Sequence, residues 1–190
     1  MKKITEVRWH GRGGQGAVTA SKLLATSAMA EDKYIQAFPE FGPERMGAPI
    51  QAFTRISDTP IKIHSHVTNP DMVVVLDATL IGPVDITEGL PDEGSIVVNT
   101  SETPAQIREK LNLKGRRIFT IDASKIAQEE LGRPLPNTPM IGALIKATGL
   151  LDLKNVINDI KNQFAGKFSQ KVIDGNVKAI ERAYQEVKEE

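Results

Sequence analysis

The sequence predicts an α/β protein, a single three-layer α/β/α domain over residues 1–190 with a mixed, mostly parallel sheet of the Rossmann-like kind. Two observations predict this fold class. Short runs rich in β-branched residues alternate along the chain with longer segments of helical composition, as in strand–helix–strand units. The chain also lacks internal repeats, low-complexity tracts and linker-like segments, so one domain is the simplest organisation.

The strands are predicted from β-branched and apolar runs, which are typical of strands buried on both faces of a sheet. Three such segments are residues 72–76, 95–99 and 117–121. Residues 5–10 are predicted as a strand from their strand-like composition, and residues 34–38 are a candidate second strand. Residues 50–56 and 60–66 alternate in polarity on either side of the turn-like residues 57–59. This pattern predicts a hairpin, which makes the sheet a mixed one.

The helices are predicted from helical composition, from capping residues and, for the last two, from amphipathic spacing. They cover residues 17–30, 104–111, 123–131, 138–148, 153–164 and 169–187. Asp122 is placed to cap the third helix, and Gly132 to end it. Asn137 introduces the fourth helix, which Gly149 ends.

Composition excludes several classes of function. The 24 basic residues balance the 24 acidic ones, so nothing indicates nucleic acid or an anionic membrane as a partner. The chain has no cysteine and therefore cannot form disulfides, thiolate zinc sites or cysteine-ligated iron–sulfur clusters. The first residues do not resemble a signal peptide, and no apolar run is long enough to span a membrane. We expect a cytoplasmic protein.

A glycine-rich string between the first strand and the first helix is the best candidate site. It reads Gly11-Arg12-Gly13-Gly14-Gln15-Gly16. Glycines let the backbone approach a ligand, and the N–H groups that open the next helix attract an anion. Arg12 adds a positive charge and Gln15 an amide donor. The alternative is a tight crossover turn that binds nothing.

The same string is compatible with a stand-alone NAD-binding dehydrogenase, but less well. Such a domain needs an acidic residue at the end of its second strand, where it binds the ribose. Glu40 lies near that place but in a proline-bracketed loop. The predicted hairpin also interrupts the simple alternation of strands and helices, so we do not favour this interpretation.

Residues 38–53 combine three of the six phenylalanines with prolines and with the charges of Glu40, Glu44 and Arg45. Aromatic rings and arginine in a rigid loop are typical of a protein interface or a ligand wall. A loop that packs its own phenylalanines is an equally good interpretation.

Other polar residues carry weaker signals. His64 and His66 share one face of a predicted strand but have no third metal ligand at a suitable spacing, so a structural or surface pair is favoured. His10 either contacts a ligand at the glycine string or caps the strand. Asp77 follows a buried strand, where α/β proteins place binding groups, and it can equally satisfy backbone donors. No catalytic constellation is present.

Three segments together resemble the gamma subunits of 2-oxoacid:ferredoxin oxidoreductases. They are the glycine string, residues 38–47 with their Phe-Gly-Pro-Glu-Arg core, and residues 137–144, which read Asn-Thr-Pro-Met-Ile-Gly-Ala-Leu. The resemblance covers nearly the whole chain and is strongest to the pyruvate enzymes, pyruvate:ferredoxin oxidoreductase or pyruvate synthase.

The resemblance implies a division of labour. Enzymes of this family decarboxylate pyruvate on thiamine diphosphate with magnesium, pass electrons through [4Fe-4S] clusters to ferredoxin, and deliver acetyl to coenzyme A. The alpha and beta subunits hold the thiamine site and a delta subunit holds clusters. The gamma chain corresponds to a domain associated with coenzyme A binding and assembly. We therefore expect the isolated chain to be inactive. Another 2-oxoacid, such as 2-oxoglutarate or a branched-chain or aryl 2-oxoacid, remains an alternative substrate.

The resemblance also implies site residues. We expect Gly11, Arg12, Gly13, Gly14, Gln15 and Gly16 to form a phosphate-binding surface for coenzyme A. Glu44 and Arg45 are expected at a subunit junction or ligand entrance. Asn137 is expected to cap its helix and to face the same crevice. Met46 stands where the resemblance implies an arginine.

Overall fold

A computed structural model describes residues 4–40 and 46–190. Its strands are β1 (Ile4–Arg12), β2 (Tyr34–Pro39), β3 (Pro49–Ser57), β4 (Met72–Val75), β5 (Ser95–Asn99), β6 (Arg117–Ile121) and β7 (Lys188–Glu189). Its helices are α1 (Ala17–Met29), α2 (Pro104–Leu111), α3 (Ala123–Leu131), α4 (Asn137–Thr148), α5 (Leu153–Phe164) and α6 (Gln170–Glu186). No helix in these two ranges is long and apolar enough to cross a membrane.

The described strands form one sheet in the order β2-β3-β1-β4-β5-β6-β7. Neighbours among β1, β4, β5 and β6 are parallel, whereas β3 is antiparallel to both β1 and β2, and β7 is antiparallel to β6. The predicted α/β class with a mixed sheet is confirmed. Half of the neighbouring pairs are antiparallel, so the sheet is more evenly mixed than the sequence predicts.

The sheet has unequal helical layers. On one face, Val7, Trp9 and Val97 lie in a large core that receives side chains from α1, α3, α4, α5 and α6. On the other face, Ile107 of α2 packs with Val73 and neighbouring residues in a smaller core. Because strands and helices alternate along the chain, the result is the three-layer arrangement expected for such a sequence.

Helix α4 lies at the centre of the large core, and almost all its residues are buried. Such a helix is apolar on every side because it has no solvent face. Gly142 brings the next layer close, since a Cβ at this position would be 2.2 Å from the backbone oxygen of Ile180 in α6. α4 therefore packs between the sheet and α6, and this packing fixes the position of its first residue, Asn137.

The predicted hairpin of residues 50–56 with 60–66 is wrong. The hairpin is β2–β3, and residues 60–66 form no strand. Both edges of β3 are occupied, by β1 and β2, so no edge remains for residues 60–66. They are held instead by Arg55, whose buried guanidinium donates to the carbonyl oxygen of Ser65 at 2.7 Å.

Candidate functional site

The glycine string is divided between a strand and a turn. Gly11 and Arg12 end β1, where they pair with Ile50 and Pro49 of β3, and the turn proper is residues 13–16. Gly14 and Gly16 have φ of 96° and 81°, a left-handed conformation that strongly favours glycine. The turn is thus a tight connection that presents backbone rather than side chains.

Two helix N-termini meet at the end of this turn. Gly16 precedes α1, and a Cβ on Gly16 would lie 2.9 Å from the side-chain nitrogen of Asn137, the first residue of α4. Neither helix has a side-chain cap or an acidic residue in its first turn. The hydrogen bonds of α1 begin with Ala20 N–H to the Gly16 carbonyl at 2.8 Å, which leaves the N–H groups of residues 17–19 without helical acceptors. The positive ends of two helix dipoles therefore lie next to each other.

Asn137 does not cap α4, contrary to the sequence prediction. The cap position is Pro136, whose ring leaves no N–H to satisfy and whose φ of −77° suits a helix start. The Asn137 side chain contacts Gly16 instead. It is only 8% exposed, and its amide has no hydrogen-bond partner in the described part of the chain. The Asn137 amide atoms are not among the fully buried atoms without a partner and lie at the groove, so they can form hydrogen bonds with a ligand group there.

Arg12 and Gln15 turn away from this point. The Gln15 amide accepts from Arg12 N–H at 2.7 Å and donates to Asp77 at 2.7 Å, while the Arg12 guanidinium lies 3.2 Å from the same carboxylate oxygen. Burial by itself would raise the pKa of Asp77, but hydrogen bonds from Thr79 and Gln15 and the charge of Arg12 outweigh it and lower the pKa. The side chains of Arg12, Gln15 and Asp77 thus stabilise the turn on the side away from Asn137.

A large open groove lies on the other side of the turn. Its volume is about 1160 Å³. Its walls are the glycine turn, α1, the ends of β2 and β3, the α3–α4 loop, α5 and the start of α6. Asn137 lies in its floor, beside Thr138, which donates to Asn176 at 2.8 Å. Apolar side chains such as Ile50, Phe164 and Val172 supply much of the lining, as in sites for organic ligands.

The rim of the groove is basic. Lys22, Arg133 and Lys167 line it, against the single acid Glu40 among the described lining residues. None of the three cations has a hydrogen bond or ion pair within the described residues. The sequence gives no signal for this grouping, because the three residues belong to separate elements that only the fold brings to one groove.

Comparison with known proteins identifies the family. Residues 6–186 match the pyruvate ferredoxin/flavodoxin oxidoreductase family. This chain belongs to that family. It is 49% identical over 187 residues to pyruvate synthase subunit PorC of Thermotoga maritima, an alignment that covers 98% of this chain and 96% of the relative.

A second relative and a solved structure agree. The common gamma subunit of the pyruvate/ketoisovalerate oxidoreductases of Pyrococcus furiosus is 48% identical over 182 residues, with 96% of both chains covered. The crystal structure of pyruvate oxidoreductase subunit PorC from T. maritima superposes with a TM-score of 0.88 at 46% identity and covers 99% of each chain. The resemblance to gamma subunits of 2-oxoacid:ferredoxin oxidoreductases is confirmed, so the chain is a subunit of an oxidoreductase of this pyruvate ferredoxin/flavodoxin oxidoreductase family.

The other residues predicted from the sequence do not all lie at the groove. Glu44 and Arg45 lie outside the described residues. Phe38 and Phe53 pack on each other with ring centroids 5.3 Å apart, whereas Glu40 and Met46 line the groove. The internal packing predicted as one interpretation of residues 38–53 is thus present for two of its rings, while the interpretation as an interface or ligand wall stays a prediction.

The histidines lie away from the groove. His10 is buried on the far face of the sheet, where it accepts a hydrogen bond from Arg8 at 3.1 Å. Burial, and then the charge of Arg8, lower the pKa of His10 to about 3, so its ring is neutral. His64 and His66 are exposed, and the described residues contain no group of three or more histidine, aspartate or glutamate side chains placed to hold a metal ion.

Proposed function

We propose that this chain is the gamma subunit of a multi-subunit pyruvate:ferredoxin oxidoreductase, and that it binds coenzyme A and contributes to assembly. The whole complex converts pyruvate, coenzyme A and oxidised ferredoxin into acetyl-CoA, CO2 and reduced ferredoxin. The names of the T. maritima and P. furiosus relatives, both of which include pyruvate, support the choice of oxoacid. The complex acts in the cytoplasm.

The redox chemistry belongs to partner subunits in this proposal. The alpha, beta and delta subunits hold thiamine diphosphate with magnesium and the [4Fe-4S] clusters, and ferredoxin docks on the complex. The present chain offers no cysteine thiolate for a cluster. Its residues do fit a phosphate-bearing organic ligand, for which they supply backbone N–H groups, an amide and an apolar wall.

One observation carries the coenzyme A proposal, namely the meeting of the α1 and α4 N-termini beside the unpartnered Asn137 amide. Helix N-termini attract phosphate through their free N–H groups and their dipoles. Coenzyme A carries a diphosphate, and we place it at this point. The apolar part of the groove then accommodates the uncharged parts of the molecule.

This proposal revises the expected roles inside the glycine string. Gly13, Gly14 and Gly16 line the groove, whereas Arg12 and Gln15 do not. The latter two position the turn through Asp77 and do not touch the phosphate themselves.

Kinetics of the assembled complex test the proposal. Asn137→Asp keeps the shape of the side chain but places a carboxylate at the expected diphosphate position. The loss of a charge-assisted contact and the added repulsion should raise the KM for coenzyme A about tenfold or more. The kcat and the KM for pyruvate should change little. The matched control is Asn158→Asp, on the exposed face of α5 and away from the groove.

An unchanged KM for coenzyme A in Asn137→Asp would refute the binding role. Size-exclusion chromatography of the same complex shows whether the variant assembles. If the variant chain no longer joined its partners, the Asn137 region would be an assembly contact and the coenzyme A proposal would fail at this site.

A gamma subunit shared between oxoacids is the second candidate, because the P. furiosus relative is named as common to the pyruvate and ketoisovalerate oxidoreductases. A chain that binds only coenzyme A need not distinguish between oxoacids. Incorporation of this chain into two purified complexes with different oxoacid preferences would establish the shared role, and its presence in a single complex would exclude it.

A further inference from the structure

Among the arginines that the structure describes, Arg133 differs from the others because its guanidinium makes no hydrogen bond. Every other one uses its guanidinium in hydrogen bonds: Arg8, Arg12, Arg55, Arg108, Arg116, Arg117 and Arg182. Arg133 has no side-chain partner in the same ranges, although its five N–H donors form a fork suited to phosphate. Its side chain is exposed and lines the groove.

The backbone around Arg133 is restrained. The α3–α4 loop contains Pro134 and Pro136, whose rings fix their φ angles, and Leu135 N–H donates to the Arg133 carbonyl at 2.9 Å. The loop runs directly into α4, which begins at Asn137. The guanidinium is therefore carried by a loop of limited freedom close to the point where the two helix N-termini meet.

Lys22 and Lys167 line the same groove from α1 and from the loop between α5 and α6. The chain as a whole has no net charge, yet the described residues that line the groove include three cations and one acid. The groove thus contains two kinds of anion-binding group, backbone N–H groups with an amide in its floor and exposed cationic side chains at its rim. A ligand that uses both kinds has two separate anionic groups.

We propose that Arg133, assisted by Lys22 and Lys167, binds the 3′-phosphate of coenzyme A and makes the enzyme distinguish coenzyme A from dephospho-CoA. This inference rests on the proposed coenzyme A function. A phosphate monoester carries about −1.5 to −2 charges at neutral pH. Each phosphate of a diphosphate bridge carries one. The more highly charged group therefore pairs with the cationic fork, while the diphosphate occupies the helix N-termini.

The test compares the KM of the assembled complex for coenzyme A and for dephospho-CoA. In the wild type we expect dephospho-CoA to have a KM about tenfold higher, the effect of one lost charge-assisted contact. Arg133→Ala should raise the KM for coenzyme A by a similar factor and leave the KM for dephospho-CoA within twofold. Arg133→Lys should restore part of the difference between the KM for coenzyme A and the KM for dephospho-CoA. The control is Lys178→Ala, which removes an unpaired exposed cation of α6 outside the groove.

The outcomes separate this inference from the proposed function. If Asn137→Asp raises the KM for both cofactors but Arg133→Ala does not reduce the discrimination between them, the 3′-phosphate role is overturned and coenzyme A binding stands. If neither variant affects either KM, both proposals fail. If Arg133→Ala weakens association with the other subunits and leaves both KM values unchanged, the rim binds an acidic partner segment and the inference is overturned.

Discussion

Asp77 lies just after β4 and contacts the side chains of Arg12 and Gln15, which leave the glycine turn on the side away from the groove. Its carboxylate accepts hydrogen bonds from Gln15 and from both the backbone and the hydroxyl of Thr79, and it pairs with Arg12. The side chain is 15% exposed, so these contacts are only partly screened by water. The turn is thus fixed by one ionised carboxylate.

We predict that Asp77→Asn destabilises the chain at pH 7 by about 1 to 2 kcal/mol, because it removes charge-assisted hydrogen bonds. The pKa of Asp77 is lowered in the folded protein relative to an unfolded value of about 3.9. The carboxylate therefore stabilises the fold fully above that value, and its contribution is lost as pH falls through the lower folded pKa. Urea denaturation of both proteins at pH 7 and near pH 3 measures this difference.

The difference in unfolding free energy should shrink at the acidic pH. Asp58→Asn is the control, since the Asp58 side chain is 82% exposed and its pair with Lys33 contributes little. An Asp77→Asn variant as stable as the wild type at pH 7 would show that the contacts of Asp77 with Arg12, Gln15 and Thr79 do not stabilise the turn.

Helix α4 joins the core to the site, because it is buried along its length and its first residue contacts Gly16. The contact between α4 and α6 at Gly142 has a distinctive physical consequence. In a free helix, replacing glycine by alanine stabilises by about 1 kcal/mol. Here the added methyl would meet the backbone carbonyl of Ile180, which cannot rotate away.

We therefore predict that Gly142→Ala destabilises the chain by about 2 kcal/mol, the usual scale for overpacking a core. Thermal or urea unfolding of the purified chain measures it. The displaced α4 should also raise the KM for coenzyme A in the complex, since Asn137 moves with the helix. Stabilisation by the intrinsic helix preference of alanine would contradict the close packing described for this pair of helices.

Local patterns were sufficient to predict most elements. The strands β4, β5 and β6 and the helices between and after them carry continuous β-branched runs or amphipathic spacing, both of which are short-range signals. The predicted hairpin failed because the pairing of β3 is decided by competition for its two edges, and β1 and β2 occupy both. Strand β7 has only two residues, both charged, and no pattern distinguishes it from a frayed end.

The site could be predicted only in part, because some of its contacts join residues that are distant in the sequence. The glycine string indicated an anion site from its own sequence, and the structure places its glycines at a helix N-terminus. The contact of Gly16 with Asn137 joins distant parts of the chain, and the cap role predicted for Asn137 failed because Pro136 already begins the helix. Lys22, Arg133 and Lys167 share no sequence motif, so only the fold reveals their common groove.

At the scale of the whole molecule, the chain combines zero net charge with one basic groove and no described cluster of metal-ligating side chains. A basic groove on a chain without net charge is the charge distribution expected under the proposal that the chain binds an anionic substrate. The T. maritima and P. furiosus relatives are named as subunits of pyruvate synthase and of the pyruvate/ketoisovalerate oxidoreductases. Under the proposed function, the chain's contribution to catalysis is positional, in that it holds one substrate where the other subunits react with it.

The structure of the assembled complex with coenzyme A bound tests this claim most directly. We predict phosphate oxygens of the diphosphate within hydrogen-bond distance of the Asn137 amide and of the backbone N–H groups of residues 17–19, with the 3′-phosphate at Arg133. Coenzyme A held entirely by other subunits, with the groove occupied by solvent or by a partner chain, would contradict it.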